Sequence, residues 1–551
     1  MRRWPLTLIL VLLPLWCVGL FGRGYWTPDE PREADIAWNM AQQKQKAVPL
    51  MAGVAFCEKP PLAYWASGAS LATFGKSPAA ARLPNLLWAI VAVLAIAWLA
   101  HGCAGVPAAL VAGVATATCA LSFQVSIWLA SDAPLVAGVC VALLGAFRGL
   151  HAAPGRSKLA WYTLMHAGLV LGFLAKNIIA LVIPGLAVLA FIGWERRWRE
   201  LLRWELYAGV LLQAAVIVPW ILAVAAQPDG RHFLKIFFWD NLVGRFLPVA
   251  SEAMYVDGHR NSPFKYLYEL PVYLLPWTFL MAAAVYRSWR GVQDPTIDRP
   301  AWRWCVCIVI PSLALLSVSS TGRSIYPAPL LPGFALALGL WAARHVAEPD
   351  RCERMCLWLT GGLVAFATVV VGPGTLVFAG LVGQPFELTA TATVMVGGLA
   401  AAALGVKLIW QQRRGAHAAA LVNIVLALNL IVLVLWCGIF RVIDRWQNLA
   451  PTMSRVASLA ENRPLVLWRP DETTIASVDY HGDLRPPIIV SSTALQALAA
   501  HQPRLLVLAR CETPDVETKF TGLGLHLLEL LEVRDGRTYG VFAPVPVRVT
   551  P

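Results

Sequence analysis

Long apolar runs separated by short polar connections dominate the sequence. A helix needs about 20 mostly apolar residues to cross a hydrocarbon core about 30 Å thick. Runs of this kind predict thirteen transmembrane helices, near residues 4–22, 81–101, 104–127, 133–150, 158–175, 176–193, 205–225, 268–287, 302–319, 326–344, 355–381, 391–411 and 418–440. No small-residue cleavage site follows the first run, so we expect it to be retained as a helix. The pattern predicts a polytopic α-helical membrane protein.

Three segments are too polar to cross a membrane, namely residues 23–80, 228–267 and 442–551. The first two predict loops with short interfacial helices inside a transmembrane domain of residues 1–441. The third contains short apolar runs at 464–468, 487–490 and 505–508, which alternate with helical stretches such as 494–500. This alternation predicts a small C-terminal α/β domain at 442–551.

The composition supports the membrane class. Hydrophobic residues make up 58% of the 551 residues and charged residues 14%, whereas soluble domains average roughly 45–50% and about 25%. The formal net charge is +13, and its basic residues concentrate in alternate connections, which are cytoplasmic if Met1 is cytoplasmic. The positive-inside rule explains this distribution, so we expect no nucleic-acid partner. The positive-inside rule also places the three polar segments on the outer face.

The first outer segment opens with acidic residues. Its sequence is Tyr25-Trp26-Thr27-Pro28-Asp29-Glu30-Pro31-Arg32-Glu33. One interpretation is a helix that begins near Pro31 and is capped by Thr27 or Asp29. The other is a functional carboxylate, because Asp29 directly follows a membrane exit and interfacial ionisable groups often carry function.

A second cluster contains Glu58 and Lys59, two prolines, and then Tyr64 and Trp65. The rigid Pro-Pro pair would hold the lysine charge at the depth of the lipid headgroups. A lysine held there can bind a lipid phosphate. The alternative is an ordinary lysine whose ammonium group reaches out of the membrane to water.

Isolated charges at the outer ends of predicted helices form a third group of candidates. Asp132 either caps the helix that contains Pro134 or serves a function. Lys176 is typical of a lysine that extends to the interface. Arg323 lies on the outer side against the charge rule, which indicates a phosphate partner. His259 is either a metal ligand, with Glu58 as its partner, or an ordinary hydrogen-bonding residue.

Several motifs together resemble a known family. They are Trp26-x-Pro-Asp29-Glu-x-Arg32, Glu58-Lys59-Pro-Pro-x-x-Tyr64-Trp65, Asn241-Leu-x-x-Arg245-Phe246, Gly258-His259-x-x-x-Pro263-x-x-Tyr266 and Arg323-x-x-Tyr326. Over nearly the whole chain, the sequence resembles the large-loop integral membrane glycosyltransferases (GT-C type) that use polyprenyl-phosphate sugars. Within them it is most similar to the lipid A 4-amino-4-deoxy-L-arabinose transferase family. That branch usually has Lys followed by Leu-Pro where this chain has Arg323-Ser-Ile-Tyr326.

The resemblance implies an inverting pentosyltransferase. It would transfer aminoarabinose from undecaprenyl phosphate to a lipid A phosphate at the periplasmic face of a bacterial inner membrane, and so confer resistance to polymyxin. One alternative is a protein O-mannosyltransferase that uses polyprenyl-phosphate mannose. A more remote one is a flippase for lipid-linked sugars, although such proteins tend to show inverted repeats, and none is evident here.

The resemblance also implies roles for individual residues. Asp29 and Asp132 would be catalytic. The donor phosphate would be bound by Lys59, Arg245, Arg323 and Tyr326. The substrate cavity would be lined by Glu30, Tyr64, Trp65, Asn241 and Lys176. We expect a monomer surrounded by membrane lipids that requires no cofactor. A divalent metal bound by Glu58 and His259 is a further expectation.

Overall fold

The computed structural model describes residues 3–240, 262–290, 299–319, 322–383, 386–511, 516–533 and 537–545. The chain forms two compact units. The helical unit comprises Met1–Phe21, Cys57–Ala63 and Arg82–Ile439. The α/β unit comprises Gly22–Phe56, Tyr64–Ala81 and Phe440–Pro551.

Helices account for most of the described residues. In chain order they are α1 (Trp4–Leu20), α2 (Asp29–Gln42), α3 (Leu62–Phe74), α4 (Pro78–Thr118), α5 (Ala120–Ile127), α6 (Asp132–His151), α7 (Arg156–Lys176), α8 (Ile179–Trp194), α9 (Trp204–Ala208), α10 (Val210–Ala225), α11 (Gly230–Lys235), α12 (Lys265–Tyr273), α13 (Thr278–Arg290), α14 (Arg299–Val318), α15 (Leu331–His345), α16 (Arg351–Leu381), α17 (Leu388–Arg413), α18 (His417–Cys437), α19 (Ile439–Gln447), α20 (Ala450–Ala460), α21 (Glu472–Gly482), α22 (Ser492–His501) and α23 (Val516–Thr521). The strands are β1 (Leu50–Met51), β2 (Val54–Ala55), β3 (Leu465–Trp468), β4 (Ile488–Ile489), β5 (Leu506–Arg510), β6 (Leu525–Val533) and β7 (Arg537–Pro544).

The helical unit contains the membrane spans. In the described part of the chain, 8 helices are long and apolar enough to cross a membrane, or 9 if the bent pair α12–α13 is counted as one span. The apolar helices α1 and α8 are shorter, with 17 and 16 residues. The chain is therefore a multi-pass membrane protein, as its apolar runs predicted. The number of thirteen spans stays a prediction.

Two of the predicted runs are not single straight helices. The run at 104–127 is interrupted at Cys119, between α4 and α5. The run at 268–287 bends by 110° between α12 and α13. Two hydrogen bonds join these breaks. The backbone N–H of Ala120 donates to the carbonyl of Leu275 at 2.8 Å, and the Trp277 indole N–H donates to the Thr118 hydroxyl at 2.8 Å. Non-helical backbone is tolerated at membrane depth when protein groups satisfy it in this way.

Helices α6 and α7 approach each other closely through small residues. A Cβ atom built on Gly168 would lie 2.5 Å from the backbone nitrogen of Ala142, and one on Gly138 would lie 2.5 Å from the nitrogen of Gly172. Glycine at these positions therefore lets the two backbones touch, as is common between membrane helices. The first residue of α6 is Asp132 and the last residue of α7 is Lys176.

The α/β unit is built on a five-stranded sheet with the order β4-β3-β5-β7-β6. Strand β3 pairs in parallel with β4 and β5, and β7 pairs antiparallel to β5 and β6. The three predicted apolar runs correspond to β3, β4 and β5, and the predicted helical stretch corresponds to α22. Strands β6 and β7 were not predicted from the sequence. Residues 23–80 were expected in the transmembrane domain, whereas most of them lie in the α/β unit.

Candidate functional site

Asp29 lies at the first position of α2 in the α/β unit. The predicted helix near Pro31 is present and begins two residues earlier, at Asp29. The predicted cap is wrong, because Pro28 occupies the N-cap position and no side chain caps the helix. The Thr27 hydroxyl instead donates to the side-chain carbonyl of Gln447 at 3.0 Å. Two acidic residues in the first turn favour an α2 that starts at Asp29, since they complement the helix dipole.

The Asp29 carboxylate is held by an arginine one turn later. Arg32 Nη2 lies 3.2 Å from Asp29 Oδ1, and the Asp29 side chain is 25% exposed. The same nitrogen lies 3.4 Å from Glu33 Oε1, and Arg32 Nη1 lies 2.6 Å from Glu472 Oε2 in α21. Asp29 is thus a partly exposed carboxylate that the buried guanidinium of Arg32 holds in place. The contact with Glu472 was not predicted, because nothing in the sequence links residues 440 positions apart.

Glu30 is buried in a different ion pair. Its two carboxylate oxygens accept from Arg23 at 2.5 and 3.0 Å, and one of them also accepts from the backbone N–H of Trp26 at 2.8 Å. Both side chains are almost completely buried. Through these contacts, Glu30 connects the segment before α2 to the helix. Its predicted place in a substrate cavity stays a prediction.

The second motif is divided between the two units. Glu58 and Lys59 lie half-buried in the helical unit, whereas Tyr64 and Trp65 lie in the α/β unit. The Tyr64 ring is buried in a cluster with Ile36, Met40 and Phe56. The Trp65 indole N–H donates to the carbonyl of Lys46 at 2.7 Å. Roles of these residues in binding the donor or the substrate stay predictions.

Within the helical unit, three predicted site residues from distant parts of the sequence come together. Lys176 Nζ donates to Asp132 Oδ1 at 2.5 Å and lies 5.1 Å from the centre of the Tyr326 ring. The expected capping role of Asp132 is wrong, because α6 has no side-chain cap. The Lys176 side chain is only 18% exposed, and its predicted reach to the membrane interface stays a prediction.

The turn that contains Arg323 is held by the start of α12. The Lys265 ammonium donates to the carbonyl of Gly322 at 2.7 Å, and the Tyr266 hydroxyl donates to the carbonyl of Arg323 at 3.3 Å. The backbone N–H of Tyr326 donates to the same Arg323 carbonyl at 3.0 Å. These bonds fix the backbone from which the Arg323 and Tyr326 side chains project. Lys265 was not singled out from the sequence, where it looks like any lysine beside an apolar run.

Three predicted site residues, Asn241, Arg245 and His259, lie outside the described residues. Among the described residues, no group of three or more His, Cys, Asp or Glu side chains could hold a metal ion. The metal site expected from the sequence is formed by Glu58 and His259. Because His259 lies outside the described residues, this metal site stays a prediction. Burial raises the pKa of the Cys57 thiol, next to Glu58, to about 12, which leaves it a poor nucleophile.

Each unit by itself carries groups suited to binding and to charge stabilisation. The α/β unit presents Asp29, whose position is fixed by Arg32. The helical unit presents Lys176, paired with Asp132 against an aromatic ring, and the turn of Arg323 and Tyr326. Such groups can orient a cationic or hydroxylated substrate and can balance the charge of a phosphate.

The chain is similar to known glycosyltransferases. Residues 58–222 match the family model described as dolichyl-phosphate-mannose-protein mannosyltransferase. Two relatives are named undecaprenyl phosphate-alpha-4-amino-4-deoxy-L-arabinose arabinosyl transferase. The one from Edwardsiella ictaluri is 29% identical over 70% of this chain and 66% of its own length, just under two thirds. The one from Pseudomonas paraeruginosa is 29% identical over 73% of this chain and 71% of its own length.

A solved structure shares the fold. It is the crystal structure of ArnT from Cupriavidus metallidurans bound to undecaprenyl phosphate, with a TM-score of 0.73, 17% sequence identity and coverage of 98% of both chains. At this identity the likeness shows the fold alone. Together with the sequence relatives, it confirms the resemblance to polyprenyl-phosphate glycosyltransferases that the motifs predicted.

Proposed function

We propose that this chain is a glycosyltransferase that moves 4-amino-4-deoxy-L-arabinose from undecaprenyl phosphate to a phosphate of lipid A. The observation that supports this most strongly is the match of relatives named for undecaprenyl-phosphate aminoarabinose transfer to 70% and 73% of the chain. The product would carry an added ammonium group, which lowers the negative charge of lipid A. It would therefore weaken the binding of polymyxin and other cationic peptides.

We place the reaction at the periplasmic face of a bacterial inner membrane, and we propose that the chain acts as a monomer. The concentration of arginine and lysine in alternate connections supports this orientation, since such residues remain in the cytoplasm. Tyr25, Trp26 and Asp29 follow the first helix and are then on the outer side.

The chemistry is a single displacement at the anomeric carbon of the sugar. A phosphate oxygen of lipid A forms the new bond to this carbon, and the bond to the donor phosphate breaks, with its electron pair remaining on undecaprenyl phosphate. The acceptor loses one negative charge and the leaving phosphate gains one. The attacking oxygen is anionic at neutral pH, so the enzyme needs no strong base to create the nucleophile. Its task is to hold two anions together against their repulsion.

The roles of the residues follow from this task. Lys59, Arg245 and Arg323, with Tyr326, would bind the donor phosphate as its charge grows. Asp29 would orient the acceptor or stabilise the developing positive charge on the sugar. Asp132 would assist by fixing Lys176, whose ammonium lies 2.5 Å from its carboxylate. We propose that no cofactor takes part, and no step depends on the metal expected at Glu58 and His259.

A second candidate function is mannose transfer to a protein hydroxyl. The match of residues 58–222 to the mannosyltransferase family model favours it. A serine or threonine hydroxyl is neutral, so this reaction requires a base at the acceptor. Asp29 would then act as that base, and the rate would fall with protonation of a carboxylate.

The proposal is tested by mass spectrometry of lipid A from a Gram-negative host that lacks its own aminoarabinose transferase. The host receives either the wild-type chain or Asp29→Asn at equal membrane levels. We expect one added aminoarabinose unit with the wild-type chain and none with the variant. Unmodified lipid A in cells that contain the donor and the wild-type chain would contradict the proposal, and glycopeptide analysis would then test mannose transfer.

A further inference from the structure

The α/β unit contains a charged cluster that joins two parts of the chain distant in sequence. Arg32 in α2 lies among three carboxylates. It contacts Glu472 through Nη1 at 2.6 Å, and Asp29 and Glu33 through Nη2 at 3.2 and 3.4 Å. Glu472 is the first residue of α21. One guanidinium therefore links a residue of the C-terminal segment to the carboxylate of Asp29.

The buried guanidinium of Arg32 contacts its partners in fixed directions. The Arg32 side chain is 7% exposed, and its guanidinium carbon lies 5.5 Å from the centre of the Phe56 ring. A guanidinium is a planar fork whose ends point in fixed directions. Because Glu472 contacts one end, the other end reaches Asp29 through a single nitrogen. Without Glu472, the fork could turn and bind Asp29 with both ends.

The start of α21 is itself firmly fixed, which makes it a suitable support. Asp471 caps the helix by accepting from the backbone N–H of Thr474 at 2.7 Å, and it also accepts from Arg510 at 3.1 Å. The Thr473 hydroxyl donates to the carbonyl of Pro28 at 2.9 Å. The same turn of α21 thus contacts the backbone directly before Asp29 and the cation that holds the Asp29 side chain.

We infer that Glu472 is a positioning residue for Asp29, and that it acts through Arg32. The inference rests on the proposed function, in which Asp29 contacts the reacting substrates. It assigns the C-terminal segment a part in sugar transfer through the orientation of Asp29. A carboxylate at position 472 shares the arginine charge and keeps the Asp29 side chain oriented for reaction.

A purely structural role for Glu472 predicts different results. An acidic residue at the start of a helix stabilises it, so removal of Glu472 could simply weaken α21. That effect would lower the folded fraction and the melting temperature, and it would do so whether or not Arg32 is present. A positioning role lowers kcat of the folded enzyme and depends on Arg32.

The test measures sugar transfer by the purified full-length chain, with undecaprenyl-phosphate aminoarabinose as donor and lipid A as acceptor. The variants are Glu472→Gln, Arg32→Gln, their combination, and Glu472→Asp. Glu529→Gln is the control, because it removes the exposed ion pair with Arg455 in the same unit. We expect Glu472→Gln to lower kcat about tenfold or more, since small displacements of a reacting group have effects of this size. KM for the donor should change little. The melting temperature should fall less than in Glu30→Gln, because Arg32 keeps its contacts with Asp29 and Glu33.

Two further results are expected. In the Arg32→Gln background, Glu472→Gln should cause no additional loss, because residues that act in series are not additive. Glu472→Asp keeps the charge and should restore part of kcat, and Glu529→Gln should match the wild type. Equal kcat for Glu472→Gln and the wild type, or equal losses in both Arg32 backgrounds, would overturn the inference alone. Absence of transfer by the wild-type chain would overturn the proposed function and the inference together.

Discussion

Lys176 donates a hydrogen bond to Asp132 across 2.5 Å, where the end of α7 meets the start of α6. The two side chains are only 18% and 7% exposed. They face each other because the glycine contacts between α6 and α7 bring the backbones together. Removal of one partner from such a pair leaves a poorly hydrated charge, which is strongly destabilising.

The first prediction concerns this pair. We expect Asp132→Asn and Lys176→Met each to lower the free energy of unfolding by about 3 kcal/mol, and the double variant to recover much of that loss. Melting curves in detergent measure the effect. Glu195→Gln is a matched control, because Glu195 also lies 2.5 Å from its partner, Arg303, but both side chains are more exposed, at 20% and 34%. An equal loss in the control would show that burial does not set the strength of these pairs.

The second prediction distinguishes Glu30 from its neighbour Asp29. Because Glu30 is paired with Arg23 in the interior, we expect Glu30→Gln to lower the free energy of unfolding by about 3–5 kcal/mol. The transfer rate per folded molecule should fall much less than in Asp29→Asn. Thermal unfolding and sugar transfer are measured on the same preparations. A stable Glu30→Gln protein without activity would instead favour the predicted place of Glu30 in the substrate cavity.

The third prediction concerns pH and Asp35, a buried residue of α2. Burial, and then the charge of Asp479, raise the pKa of Asp35 well above its ordinary value, although Arg485 and the backbone N–H of Ala52 oppose the shift. The folded chain therefore holds a proton at Asp35 that the unfolded chain releases above about pH 4. The contribution to stability is full below that pH and is lost as the pH rises through the raised pKa.

We expect Asp35→Asn to remove this part of the pH dependence. His481 contributes in the opposite sense, because burial and then the charge of Lys76 lower its pKa to about 4. Its contribution is present above about pH 6.5 and is lost as the pH falls toward 4. The difference between wild type and Asp35→Asn isolates the Asp35 effect from that of His481. Melting temperatures from pH 4 to 8 that run parallel in the two proteins would contradict the prediction.

The fourth prediction concerns orientation in the membrane. In a background without the eleven native cysteines, we expect a membrane-impermeant thiol reagent to label Asp483→Cys on intact spheroplasts. Asp483 is 78% exposed in the α/β unit. Arg199→Cys, in an arginine-rich connection of the helical unit, should react only after the membrane is opened. The reverse pattern would place the proposed site in the cytoplasm.

Sequence patterns predicted the local features of this protein well. Apolar runs predicted the helices because membrane spans must be apolar along their length, and short alternating runs predicted β3, β4 and β5. The phosphate and sugar chemistry indicated by the motifs around Asp29, Lys59 and Arg323 stays a prediction. Strand β6 was missed because charged residues such as Glu529 and Glu532 interrupt its apolar positions.

The features that the sequence did not predict depend on contacts between distant residues. The pairing of Asp132 with Lys176 arises from the approach of α6 to α7, and the contact of Glu472 with Arg32 arises from the packing of α21 near α2. Each residue alone has an ordinary local explanation. Neither Thr27, Asp29 nor Asp132 caps a helix. Gln447 and Lys176, both distant in sequence, bind Thr27 and Asp132, and Arg32 of the same helix binds Asp29.

The central claim is tested most directly by sugar transfer with the purified chain. The wild-type protein and Asp29→Asn are offered two donors, undecaprenyl-phosphate aminoarabinose and undecaprenyl-phosphate mannose, and two acceptors, lipid A and a serine- and threonine-rich peptide. We predict transfer of aminoarabinose to lipid A alone, with a rate at least about 100-fold lower for Asp29→Asn. Transfer of mannose to the peptide, or full activity of Asp29→Asn, would contradict the account.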